Sequence, residues 1–180
     1  MTKYREFDTI LLYMATLQLV KDRIKKLKEE YDRLRIGKDS LLKIIDEAEI
    51  AESVYNSNAI ENSTLTLKET EKILLEMEVS RDISLREVFE AKNLARVMEY
   101  IRKKSHEEDL SKEMILLLHK MLIENINESI SGRFRKEHEY VRVGAHIATS
   151  PEHIERMIEE ALIEYSSDHE TYFADKITNF

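Results

Sequence analysis

Residues that interrupt helices are scarce in this chain, and their scarcity limits its possible folds more than any other feature. Of its 180 residues, 3 are glycine and 1 is proline, whereas 36% are charged. Few turn-forming residues leave few turns, and long charged side chains suit the exposed faces of helices. The sequence therefore predicts an all-α fold, and its length suffices for one domain or for a small domain with an appendage.

Apolar residues recur at alternating steps of three and four along the first predicted helix. This set, called the N-terminal seam below, consists of Leu17, Val20, Ile24, Leu27, Tyr31 and Leu34. Such spacing is typical of an amphipathic helix that packs against one other helix, and it permits a homodimer. Gly37 favours a left-handed turn that ends the helix. We therefore expect a helical extension over residues 1–38 and a second part over residues 39–180.

The second helix is predicted over about residues 40–62, with Asp39 or Ser40 as its N-terminal cap and Asn62 as its left-handed end. Its apolar residues are expected to face the core: Leu41, Ile44, Ile45, Ala48, Ala51 and Val54. Two further helices are each preceded by a Ser/Thr-x-x-Glu capping sequence, one from Thr66 to Glu69 and one from Ser84 to Glu87. Ser111 is expected to cap another helix.

The pattern changes after Gly132, where β-branched and polar residues alternate. Residues 139–148 are predicted to form a strand or a small hairpin that turns near Gly144. Ser150 followed by Pro151 is typical of the start of a helix, because proline is tolerated at the first helical position.

Composition excludes several classes of protein. The chain has no cysteine, which rules out disulfides and thiolate metal sites and is compatible with the cytoplasm. Its net charge of −8 opposes non-specific binding to nucleic acid. No apolar run is long enough to span a membrane, and the histidines lack the i, i+4 spacing of a zinc site. No glycine-rich phosphate loop is present.

The hexapeptide from Ser57 to Asn62, with sequence Ser-Asn-Ala-Ile-Glu-Asn, is the most specific motif of the chain. On a helix Ser57 and Glu61 are four residues apart and share one face. The hexapeptide resembles the inhibitory motif Ser/Thr-x-x-x-Glu-Gly/Asn of Fic-domain proteins. The turn Gly-Arg-Phe-Arg at residues 132–135, followed by strand-like residues, is similar to the turn that precedes the target-docking flap of that family.

This resemblance implies a Fic-like helical bundle with one small β-hairpin, and a protein adenylyltransferase that moves AMP from Mg-ATP to a protein Ser, Thr or Tyr hydroxyl. Ser57, Glu61 and Asn62 would be the inhibitory residues, with Glu61 pairing with an arginine that otherwise holds the γ-phosphate. The flap would comprise about residues 139–148. Its docking residues would be Val141, Arg142, Val143, Gly144 and His146.

The family's catalytic signature, His-x-Phe-x-Asp/Glu-Gly-Asn-Gly-Arg, does not occur in the sequence, so no catalytic residue is assigned. The apolar stretch from Tyr172 to Phe180 ends without a cap, and we expect the chain to be the N-terminal part of a longer enzyme that is itself inactive and binds ATP weakly. Two alternatives to this interpretation stay open. One is an antitoxin-like inhibitor of a separate Fic protein, and the other is a helical interaction module built on the N-terminal seam.

Overall fold

The computed structural model describes residues 2–80, 82–105 and 107–167, with side chains described from residue 18 onward. The described chain is mostly helical and contains one small antiparallel hairpin, which confirms the all-α fold class with a single β-hairpin. The elements are α1 Thr2–Leu34, α2 Asp39–Ile60, α3 Leu67–Glu71, a π-helical turn Lys72–Glu76, α4 Leu85–Lys104, α5 Lys112–Ile123, β1 Arg142–Val143, β2 His146–Ile147 and α6 Pro151–Ser167. The stretch from Tyr172 to Phe180 lies outside the described residues.

The described residues separate into two units, with the boundary between Leu42 and Lys43. The first unit contains α1, which ends at Leu34, and Gly37 then adopts the predicted left-handed backbone with φ of 71°. Most residues of the N-terminal seam that the structure describes are exposed, including Leu27 and Tyr31. None of the described helices has both the length and the apolarity that crossing a membrane requires.

The second unit, from Lys43 to Ser167, contains the hydrophobic core. Its buried cluster combines residues of α2, the π-helical turn, α4 and the segment between α2 and α3: Val54, Leu65, Ile73, Val88, Ala91 and Ala95. Two small residues of α4, Ala91 and Ala95, belong to this cluster, which allows close approach of neighbouring elements. Asn93, also buried on α4, donates hydrogen bonds to the carbonyls of Leu122 and Glu124 and so ties α4 to the end of α5.

The inward face predicted for α2 is only partly correct. Ala51 and Val54 are fully buried, but Leu41, Ile44, Ile45 and Ala48 are exposed. Val54 is the residue of α2 that belongs to the buried cluster, and Ile50 packs at the margin of this cluster. The apolar residues of α2 that precede Ile50 therefore lie outside the core of the second unit. Asp39 also differs from the prediction. It is the first helical residue and therefore lies in the first turn instead of capping from outside.

The other predicted helix starts are confirmed. Thr66 and Glu69 form a reciprocal capping box at the start of α3, and Ser111 caps α5 by accepting a hydrogen bond from the Met114 amide. Pro151 is the first residue of α6. The serine and threonine caps work because a short polar side chain satisfies an otherwise unpaired backbone amide, so these predictions depend on local sequence alone.

Candidate functional site: a terminated helix and a braced hairpin

The hexapeptide at residues 57–62 covers the last turn of α2, which ends at Ile60, and the two residues that follow it. Asn62 has a φ of 65°, and its amide donates to the carbonyl of Ala59 at 3.2 Å. The Ser63 amide donates to the carbonyl of Asn58 at 3.0 Å. These two bonds are those of a Schellman motif, in which a left-handed residue ends a helix and satisfies its last carbonyls. The left-handed end predicted at Asn62 is confirmed.

Glu61 lies one position beyond the last helical residue, Ile60, and its side chain is exposed. Its amide donates to the Asn58 carbonyl at 3.1 Å, so its backbone is fixed although it is outside α2. In the described part of the chain its carboxylate has neither a hydrogen bond nor an ion pair. Ser57 is half-buried, and its hydroxyl has no hydrogen-bond partner among the described residues either. The expected inhibitory roles of Ser57, Glu61 and Asn62 stay predictions.

Asn58 lies inside the hexapeptide, and its side-chain nitrogen Nδ2 is buried without a hydrogen-bond partner among the described residues. A buried donor that lacks a partner costs on the order of 1–3 kcal/mol relative to a satisfied one. The cost falls on the turn of α2 that precedes Glu61.

Glu87, in the first turn of α4, holds the segment that comes after the hexapeptide. Its Oε1 accepts from the amide and the hydroxyl of Thr64, each at 2.7 Å, and from the Ser63 hydroxyl at 3.3 Å. Its Oε2 accepts from the Ser84 hydroxyl at 2.8 Å. The Thr64 hydroxyl and amide, followed by the Ser84 hydroxyl, lower the pKa of Glu87 to about 2, because hydrogen bonds to a carboxylate favour its charged form.

A second contact fixes α2 nearer its middle. Arg102, in the last turn of α4, contacts Asp46 at 2.8 Å and Glu49 at 3.1 Å. Together with Glu87 it joins the two ends of α4 to successive parts of α2 and the segment after it. The helix that leads to Glu61 is therefore held near its middle by Arg102, in its second half by buried Ala51 and Val54, and just past its end by Glu87.

The turn before the hairpin begins at Gly132, whose backbone is left-handed with φ of 64°. A Cβ atom at this position would lie 2.9 Å from Cβ of Lys120 on α5, so both the backbone angle and the close approach require glycine. This glycine belongs to the turn that resembles the Fic family, and the geometry supplies the physical reason for its presence.

Arg133 braces the turn. Its guanidinium binds the carboxylate of Glu139 through two nitrogens, at 2.7 and 2.9 Å, and also donates to the carbonyls of Ser129 and Phe134. Paired bonds of this kind fix orientation as well as distance. The Arg133 side chain and the Lys136 amide lower the pKa of Glu139 to about 2. Glu139 therefore stays charged under ordinary conditions and keeps the brace closed.

The predicted hairpin is present, with shorter strands than the alternation indicated. β1 and β2 pair antiparallel, Arg142 opposite Ile147 and Val143 opposite His146, and the chain turns at Gly144 with φ of 60°. The Ala148 amide extends the pairing by donating to the Val141 carbonyl. Arg135 donates to the carbonyls of Glu139 and Thr149 and so ties the base of the hairpin together.

The side chains assigned to target docking, Val141, Arg142, Val143 and His146, are all exposed, and so is Gly144. The sheet consists of these two strands, so among the described residues no third strand covers either outer edge. An exposed edge offers unpaired amides and carbonyls that can pair with an extended peptide. The docking role of these residues stays a prediction.

The structure describes no hydrogen bond or ion pair that joins the hexapeptide to the hairpin. Separate parts of the second unit hold their neighbourhoods. Glu87 of α4 binds Ser63 and Thr64, the residues that follow the hexapeptide, and the turn before the hairpin packs on α5. Over residues 18–80, 82–105 and 107–167 no group of three or more His, Asp or Glu side chains is arranged to hold a metal ion. Comparison with family models found no match, and neither did comparison with the curated proteins.

Three residues that position these elements escape interpretation of the sequence alone. The capping position of Glu87 is evident from the sequence, but its bond to Thr64 is not, and no local pattern distinguishes Arg102. The alternation of residues predicts Glu139 as the first residue of a strand, whereas it is the partner of Arg133. Of these contacts, only the Arg133–Glu139 pair could have been suspected from the sequence, because opposite charges six residues apart flank a predicted turn.

Proposed function

We propose that this chain is the N-terminal, autoinhibitory part of a Fic-type protein adenylyltransferase. The parent reaction joins the oxygen of a protein Ser, Thr or Tyr hydroxyl to the α-phosphorus of Mg-ATP and releases pyrophosphate, while the hydroxyl proton passes to a base. The family's catalytic signature does not occur in these 180 residues, so this proposal assigns the base and the metal-binding acid to residues outside the sequence. The proposed compartment is the cytoplasm, where ATP and Mg²⁺ are abundant.

The single observation that carries the proposal is the state of Glu61. A Schellman motif fixes its backbone, yet its carboxylate is exposed and has no partner in the described chain. A carboxylate held in this way is suited to pair with an arginine supplied from elsewhere. An arginine so occupied cannot bind a γ-phosphate, because both anions need the same guanidinium donors.

The hairpin supports the same proposal because it offers a surface on which a target protein could dock. The Arg133–Glu139 pair holds its base, and among the described residues both strand edges are open. Edge pairing would align an extended target segment through its backbone without strict dependence on its sequence. The proposed partners are thus a protein with an accessible hydroxyl side chain and, through the exposed N-terminal seam, a second copy of this chain.

The test is AMP transfer by the complete gene product that contains this chain. Glu61→Gly removes the carboxylate at the first position past α2, outside the helix interior where glycine costs most. We expect productive ATP binding to rise roughly ten- to a hundredfold, since a charge-assisted pair is worth about 1.5–3 kcal/mol. Labelled ATP and auto-modification measure the change.

Two matched variants control for charge. Glu61→Gln should also activate, though less, whereas Glu52→Gln removes an exposed carboxylate from the same helix and should leave the rate unchanged. Equal rates for the wild type and both Glu61 variants would reject the proposal and leave Glu61 an ordinary surface residue.

A further inference from the structure

The segment from Ser63 to Thr66 connects the hexapeptide at the end of α2 to the start of α3. Leu65 is 5% exposed and belongs to the core cluster. Thr66 is fixed by its capping box with Glu69. Ser63 and Thr64 lie between these anchors and the hexapeptide, so whatever holds them decides how firmly the end of α2 stays in place.

The residue that holds them is Glu87. One oxygen of its carboxylate accepts both donors of Thr64 and the hydroxyl of Ser63, which is the residue that closes the Schellman motif. The other oxygen is fixed by the Ser84 hydroxyl. The carboxylate therefore cannot rotate away without breaking bonds on both oxygens.

The position of Glu87 in α4 adds to this rigidity. It lies in the first turn, where the unpaired amides and the helix dipole favour a negative charge. Its backbone amide donates to the Ser84 hydroxyl, so the side chain that fixes the carboxylate also caps the helix. The opposite end of α4 holds α2 through Arg102, and α4 as a whole is anchored by buried Val88, Ala91 and Ala95.

We infer that Glu87 is a positioning residue, which keeps the C-terminal end of α2 docked on α4 and thereby keeps the Glu61 carboxylate in its inhibitory place. This inference rests on the proposed function and adds a determinant of how strong the inhibition is. Glu87 acts on Glu61 indirectly, through Thr64 and Ser63, three and two residues beyond it. Weakening the bonds of Glu87 lets the C-terminal end of α2 move away from α4. Glu61 then leaves its inhibitory place, and ATP can bind productively.

The first measurement uses the 180-residue chain and does not depend on activity. Glu87→Gln removes the charge, and Thr64→Val removes the hydroxyl donor while keeping the side-chain shape. Hydrogen exchange should show the Thr64 amide losing about tenfold protection in Glu87→Gln, the scale of one charge-assisted hydrogen bond. The control Glu90→Gln breaks only the neighbouring pair with Arg86 and should leave that amide protected.

The second measurement uses the complete gene product and separates positioning from general destabilisation. Glu87→Gln and Thr64→Val should each lower the KM for ATP by about three- to tenfold with kcat little changed. Neither should have an effect once Glu61→Gly is present, because the carboxylate they position is then gone. Glu90→Gln should leave KM unchanged in both backgrounds.

The outcomes separate the inference from the proposed function. If Glu61→Gly does not activate, both fall together. If Glu61→Gly activates while Glu87→Gln and Thr64→Val leave the KM for ATP at the wild-type value, the positioning role is overturned and the proposed function stands. An unchanged Thr64 exchange rate in Glu87→Gln likewise overturns the positioning role.

Discussion

Gly132 and Gly144 are a natural pair for asking what a glycine contributes at a left-handed position. Their φ values are 64° and 60°, but a Cβ at Gly132 would meet Lys120 at 2.9 Å, whereas nothing lies within 4 Å of one at Gly144. Both turns therefore need a residue that tolerates a left-handed backbone. Only at Gly132 would an added Cβ also clash with a neighbouring side chain.

We expect Gly132→Ala to lower the free energy of unfolding by about 2–3 kcal/mol and Gly144→Ala by about 1 kcal/mol, the cost of the left-handed angle alone. Urea unfolding of the wild type and both variants measures the difference. Equal losses in the two variants would show that Lys120 moves aside freely.

The carboxyl of Glu87 gives stability a defined dependence on pH. Its pKa is lowered in the folded chain to about 2, mainly by the Thr64 hydroxyl. A group whose pKa falls on folding stabilises the fold above its unfolded pKa, and the contribution is lost as protonation proceeds in the native state. The contribution is therefore complete at neutral pH and disappears between about pH 4.5 and about pH 2.

The melting temperature of Glu87→Gln should accordingly lie below that of the wild type at pH 6 and approach it as the pH falls through this window. Glu90→Gln, measured in parallel, should show a smaller difference at pH 6. A gap between Glu87→Gln and the wild type that stays constant from pH 6 to the acid limit would contradict the assignment.

At the scale of elements, the hairpin depends on residues outside its strands. Each strand has two residues, and a two-stranded hairpin is marginal by itself in water. Arg133 and Arg135 supply the missing constraint by binding Glu139 and the carbonyl of Thr149. The hairpin therefore keeps its shape although all four of its strand residues are exposed.

Under the proposed function, Glu139→Gln in the complete gene product should weaken target docking, because it breaks the paired bond to Arg133. We expect the KM for a protein target to rise about three- to tenfold, while the KM for ATP stays the same. Glu137→Gln, which removes an exposed carboxylate nearby, is the control. A parallel rise in both KM values would mean that the hairpin does not act in target docking alone.

At the scale of the whole molecule, the described chain contains a fixed helix end and a braced hairpin, and its sequence lacks the catalytic signature that the resemblance requires. Phosphoryl-group chemistry depends almost entirely on positioning and charge stabilisation of the phosphates. We expect the 180-residue chain to transfer no AMP to itself or to added proteins. Incubation with labelled ATP and Mg²⁺ tests this, and label incorporated at a rate proportional to chain concentration would contradict it.

The sequence by itself determined several of the helix ends and turns. Thr66, Ser84 and Ser111 cap helices, and Gly37, Asn62 and Gly144 take left-handed angles, as their residue types predict. These features depend on hydrogen bonds and steric limits within a few residues. They can therefore be predicted without knowledge of the fold.

Only the tertiary structure decided which apolar positions are buried and which charges meet. Periodicity placed Ile44 and Ile45 on the same inward face as Val54, yet the first two are exposed because, among the described residues, the buried cluster does not reach them. The bond between Glu87 and Thr64 joins residues 23 positions apart, and that between Arg102 and Glu49 spans 53. Such pairs depend on where whole helices pack, and no local pattern of charge specifies that.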